Sequence, residues 1–154
     1  MKTIIVFCLA LISANGVWSQ SSEEMRVVEV MPMFPGCDSI ENPEERKKCA
    51  DRKMLEFLYS NLKYPEVART NNIEGTVIVN FVVEKDGSIS NEQVIRSVSA
   101  EIDEAALDAV REMRNQNILW HPGLQSGKPV RVTFNMPLRF KLEDNNSKSK
   151  KKKN

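Results

Sequence analysis

Two cysteines about a dozen positions apart, Cys37 and Cys49, and a single histidine, His121, are the side chains of this 154-residue chain best suited to covalent or metal chemistry. A third cysteine, Cys8, sits inside an apolar run near the amino terminus. An even pair in an oxidising compartment most often forms a disulfide, and a loop of this length contributes close to 3 kcal/mol in the chain-entropy account. Two free thiols are the alternative. Zinc needs four ligands, which two Cys and a distant His121 do not supply. A redox-active pair is more typically spaced Cys-x-x-Cys. His121 stands next to Pro122 in a turn, with no Ser or Cys placed on a strand–helix elbow, so no nucleophilic triad is readable. The carboxylates fall on expected exposed helix faces, and GxGxxG, P-loop, HExxH and EF-hand patterns are absent. The residues therefore point to a binding or structural role, with no catalytic residue, no metal and no cofactor.

What chemistry remains belongs to the main chain. Val130, Val132, Phe134, Met136, Leu138, Phe140 and Leu142 alternate with Arg131, Thr133, Asn135, Pro137, Arg139 and Lys141, the period of a strand with one buried face. Pro137 lacks the N–H that a central strand needs, so this strand is expected at a sheet edge, or bulged there. An edge offers main-chain groups with which an extended guest peptide can pair. Arg131, Arg139 and Lys141 are equally the charges that discourage unwanted pairing, so a protected edge is the other reading of the same residues.

The elements that must position this strand can be read in order. Lys2, the apolar run Ile4–Ile12 and the small and polar residues after it have the layout of a cleaved signal peptide over 1–20; an uncleaved anchor is the alternative. Residues 21–42 form an extended lead-in. Asn42-Pro43-Glu44-Glu45 is a helix start, and Ala50, Met54, Phe57, Leu58 and Leu62 make its apolar stripe, with Pro65 expected to end it. From Gly75 the period becomes two, Val77, Val79, Phe81 and Val83 facing one way. Asp86-Gly87 is a hairpin signal, returning the chain through Ile89 to Arg96. A second helix is expected over about 102–115. Trp120-His121-Pro122-Gly123 breaks it, Gly127 marks another turn, and the final strand follows over 130–142.

One apolar and one polar face imply a sheet covered by helices on a single side. The fold class is α+β. Composition agrees: 41% hydrophobic residues support a core, while 22 Lys and Arg against 21 Asp and Glu, a formal net of +1, argue against a nucleic-acid binder. Residues 143–154, with five lysines, are expected to be a disordered basic tail.

The stretch from Tyr64 to Val83 resembles the opening of the TonB C-terminal domain family. Tyr64, Pro65, Ala68, Ile73, Gly75, Val77, Val79, Phe81, Val83, Asp86 and Gly87 fall in the family's register. Farther on, Trp120, Pro122 and Gly123 resemble its aromatic-x-Pro-Gly turn, followed by Gly127-Lys128-Pro129 and the alternating strand. The likeness covers about residues 64–142, and the segment around Cys37 and Cys49 looks like a variant lead-in.

The resemblance implies a helix–hairpin–helix–strand order, a three-stranded antiparallel sheet with helices on one face, and a domain over 43–142. It also implies a periplasmic location, or an inner-membrane anchor facing the periplasm. In the family this domain grasps a short segment of outer-membrane receptors as a strand added alongside the last strand, here with Arg131, Thr133, Asn135, Pro137, Arg139 and Lys141. The implied partners are outer-membrane TonB-dependent receptor peptides and an inner-membrane energising complex; the exposed edge also admits a homodimer, and no nucleic acid is implied. A cleaved signal and a short lead-in leave no spacer through which to pull. A stand-alone periplasmic binding or scaffold module without energy coupling is therefore the second reading.

Overall fold

The computed structural model describes residues 28–142; the expected signal peptide over 1–20 and the basic tail over 143–154 lie outside them. Asn42 starts helix α1 (Pro43–Asn61) as expected, its Oδ1 accepting from the N–H groups of Glu44 and Glu45 at 3.0 and 3.1 Å. The helix stops at Asn61, before the proline expected to end it. Pro65 instead caps a separate short helix, α2 (Glu66–Thr70), where a proline's missing N–H costs nothing. The Tyr64 hydroxyl donates to the Ile73 carbonyl at 2.6 Å and closes this corner.

Strands β1 (Gly75–Val83) and β2 (Ile89–Arg96) form the expected hairpin. Its loop turns on Gly87, at φ +87°, and Asp86 accepts from the Ser88 N–H and hydroxyl. Glycine is required there on two counts. The left-handed conformation suits it, and a Cβ would lie 2.2 Å from the Trp120 carbonyl oxygen. Helix α3 (Ala100–Asn115) buries Ile102, Ala106, Ala109, Val110 and Met113.

After α3 the chain makes an element that periodicity did not reveal. Strands β3 (Gly123–Gln125) and β4 (Lys128–Val130) pair through a two-residue turn, Ser126 and Gly127, both at positive φ. The last strand, β5, is therefore Val132–Phe140 and not the 130–142 expected, because Val130 belongs to the β3–β4 ribbon. The change of ladder falls at Arg131. The lead-in pairs with the other side of the ribbon, through Val30 with Leu124 and Met33 with His121. A Cys37–Cys49 disulfide, Cα atoms 6.1 Å apart, ties it to α1.

The main sheet has the order β2-β1-β5, antiparallel throughout. Val77, Val79, Phe81 and Val83 of β1 share a face with Phe134, Met136 and Leu138 of β5, and α1 and α3 pack on that face. At its end Trp120 is wedged between the rings of Phe34, Phe81 and Phe134, with centroids 5.4–5.7 Å apart. The three-stranded α+β architecture with helices on one face is thus as expected, with the ribbon and α2 added.

Candidate functional site

Strand β5 pairs with β1 without a register break, from Val83 opposite Val132 to Gly75 opposite Phe140. Among the described residues no strand pairs with its other side, so β5 is an edge of the sheet. The parity of its main chain follows from two residues. Pro137, opposite Ile78, has no N–H to give β1. The N–H of Arg139, two residues on, donates to the Tyr59 Oη of α1 at 3.3 Å. In an antiparallel ladder alternate residues turn their N–H and C=O away from the partner strand. Thr133, Asn135, Pro137 and Arg139 therefore share the outward parity, while Val132, Phe134, Met136, Leu138 and Phe140 face β1.

The opposite edge is built differently. The β1–β2 register shifts twice, between Ile78 and Val79 and between Asn80 and Val82, and Asn91 of β2 sits at φ +56°. Bulges of this kind twist an edge and spoil it as a template. Arg114 of α3 further holds the Glu92 carboxylate of β2 at 2.8 and 3.1 Å. The regular edge is β5.

Side chains of the edge itself divide into two groups. Asn135, Pro137 and Arg139 are exposed on the helix-free face, and Thr133 is half-buried there. Asn80 of β1 donates to Asn135 Oδ1 at 2.6 Å, a cross-strand amide pair. Arg131 and Lys141 fall just outside the strand. Arg131 is turned onto the sheet and binds Glu84 through two hydrogen bonds, Nε to Oε2 at 2.7 Å and Nη2 to Oε1 at 3.0 Å. This guanidinium, with a further bond from the Ser90 hydroxyl, holds the Glu84 carboxyl below its ordinary value. Arg131 therefore pins the start of β5 to the hairpin, a task the alternation pattern did not indicate.

Two flanking groups complete the edge. Met31 of the lead-in borders a recess of about 240 Å³ together with Thr133, Phe134 and Asn135. At the other end stand Leu55 and Tyr59 of α1, exposed by 40% and 46% and one helical turn apart. Sequence reasoning assigned the α1 stripe to Ala50, Met54, Phe57, Leu58 and Leu62 and passed over these two. The available signal was an i, i+4 apolar pair on an otherwise charged face, beside Lys48, Asp51, Arg52 and Glu56.

The motif positions have structural duties. Ala68 is fully buried. A Cβ on Gly75 would meet Val98 at 2.7 Å, and one on Gly123 would meet Val132 at 2.4 Å. Among the described residues no cluster of His, Cys, Asp and Glu is arranged to hold a metal, and no helix is long and apolar enough to cross a membrane. His121 is paired with Asp38 at 2.7 Å, beside the disulfide.

Residues 60–142 match the family described as Gram-negative bacterial TonB protein C-terminal. Protein TonB of Vibrio cholerae is 33% identical over 82 residues, which is 53% of this chain and 32% of that protein. Protein TonB of Helicobacter pylori is 35% identical over 60 residues, 38% of this chain and 21% of that protein. The chain thus spans about a third or less of these relatives. Among solved structures, the NMR solution structure of Helicobacter pylori TonB-CTD has a TM-score of 0.48 at 23% identity, covering 61% of this chain and 81% of that one. That of Pseudomonas aeruginosa TonB CTD has a TM-score of 0.37 at 30% identity, covering 53% and 79%.

Proposed function

The chain belongs to the TonB C-terminal domain family, and from that premise we propose that it takes part in TonB-dependent transport by binding receptor peptides as a strand added to β5. The partners are extended amino-terminal segments of outer-membrane receptors, met on the periplasmic side. The observation that carries this reading is the unbroken β5 edge, with its outward main chain at Asn135 and Pro137 and a bulged β2 on the opposite side. Main-chain hydrogen bonds supply affinity in this mode and alternate side chains set the register, so no catalytic group is called for. The Cys37–Cys49 disulfide supports an oxidising compartment.

Asn135→Pro tests the docking edge. An outward-facing N–H contributes nothing to the β1–β5 ladder, so proline is tolerated there while removing one main-chain donor and stiffening the edge. Synthetic peptides tiling receptor amino-terminal segments should bind the parent chain and bind this variant at least 10-fold more weakly, with the fold intact by circular dichroism. Asn135→Ala, which keeps the N–H and loses only the bond from Asn80, should bind within about 3-fold of the parent. Equal affinity for all three proteins would reject β5 as the docking strand.

A further inference from the structure

We propose that Tyr59 of α1 sets the register of the guest by ending the open ladder at Pro137. The inference rests on the strand-addition reading and goes beyond it, since it names where pairing must stop and which side chain stops it. Three observations converge. The Arg139 N–H, which has the outward parity, is already spent on Tyr59 Oη at 3.3 Å. Pro137, the preceding outward residue, has no N–H at all. Tyr59 belongs to a 19-residue helix whose own packing, through Ala50, Met54 and Leu58, fixes it beside the strand.

The consequence is geometric. A guest carbonyl that would receive the Arg139 N–H must lie where the tyrosine oxygen now sits. The last outward group a guest can use is therefore the Pro137 carbonyl, which accepts from a guest N–H. Guest pairing is confined to the part of β5 from Val132 to Pro137, two-thirds of a nine-residue strand. Residues of the guest beyond that point leave the sheet at the exposed Leu55–Tyr59 pair and make no ladder bonds. The device selects for short extended segments, and its hydroxyl is the part that matters.

Tyr59→Phe removes that hydroxyl and leaves the ring, so the helix packing is kept. In the unliganded full chain, amide hydrogen exchange at Arg139 should be slow in the parent and at least several-fold faster in the variant. With a receptor amino-terminal peptide bound, the parent should show new local protection at the outward amide of Asn135 and none at that of Arg139. Trimming guest residues that would lie opposite Arg139 should leave parent affinity unchanged. In Tyr59→Phe the same residues should add roughly 2- to 10-fold in affinity, the net worth of one further main-chain bond. A parent affinity that already depends on those residues, or equal Arg139 exchange in the two proteins, overturns the register stop alone. Absence of new protection anywhere on β5 rejects strand addition itself, and the stop with it.

Discussion

Glu84 shows how a single carboxylate can hold two strand ends together. It closes the β1–β2 hairpin through its N–H to the Ser88 carbonyl at 2.8 Å, and its side chain takes the Arg131 guanidinium that begins β5. The pair is mostly buried, Arg131 15% and Glu84 24% exposed at the side chain, so it is less screened than a surface bridge. The Glu84 carboxyl is held below its ordinary value of 4.5, first by the Arg131 hydrogen bond, against the opposing effect of burial. A carboxylate with a lowered folded value stabilises the fold fully above the unfolded value, and that contribution is lost as pH falls through the folded one. Glu84→Gln should therefore cost about 1–3 kcal/mol at neutral pH, where it leaves a mostly buried guanidinium without its anion. The gap between parent and variant should narrow as pH drops below about 4.5. Denaturant titrations at pH 7 and pH 3.5 measure it; a gap that stays constant or widens on acidification would show that the ion pair carries no stability. This pairing was invisible in the sequence, because Arg131 and Glu84 are 47 positions apart and each fits an ordinary alternating strand.

At the scale of elements, the disulfide governs how the lead-in is held. Residues 28–36 are held by the bridges of Val30 to Leu124 and Met33 to His121, by Glu29 bonds to Gln125 and Ser126, and by the Phe34 ring in the aromatic cluster. Cys37, itself 4% exposed, fastens them to α1 through Cys49, and Lys53 of the same helix donates to the Gly36 carbonyl at 2.6 Å. A loop of twelve residues gives about 3 kcal/mol in the entropic account. Reduction, or the double change Cys37→Ser and Cys49→Ser, should lower the melting temperature by on the order of 10 °C and speed exchange at the Val30 and Met33 amides. Calorimetry with and without reductant tests this, and an unaltered melt would refute a stabilising role. What was legible at this scale follows from strong local signals: the Asn42-Pro43 cap, the Asp86-Gly87 turn, and the period-two faces of β1 and β5. The β3–β4 ribbon was not legible, because three-residue strands are too short to show a period. Its Lys128-Pro129 also reads as loop, and Val130 continues the alternation of β5 so smoothly that the break at Arg131 leaves no trace. The C-terminus of α1 was misread for a related reason. Pro65 forbids helix at Tyr64 but does not require helix up to it, and Leu62 is already extended at ψ 112°.

Considered whole, the molecule is a sheet with one central strand and two unlike edges, and this asymmetry decides how a guest affects stability. β1 pairs along its length with β5 and from Ile78 to Val83 with β2, and its residues facing the helices are fully buried. Such a strand cannot detach without opening the core shared by α1 and α3, so the domain should unfold as one unit. Any ligand that binds only the folded form then raises the stability of every element, including those it never touches. A receptor peptide at 100 times its dissociation constant should add about 2.7 kcal/mol and raise the melting temperature by roughly 5–10 °C. The same rise should appear in probes on α3, at the far side of the sheet, as on β5 itself. At the same peptide concentration Asn135→Pro should at least halve the rise while keeping the single transition. Melting followed by global circular dichroism, together with hydrogen exchange read at Val110 and at Met136, makes the comparison. Stabilisation confined to β5, with α3 unmoved at saturating peptide, would mean that the edge strand frays independently of the core; the guest would then be held by a local flap and not by the sheet.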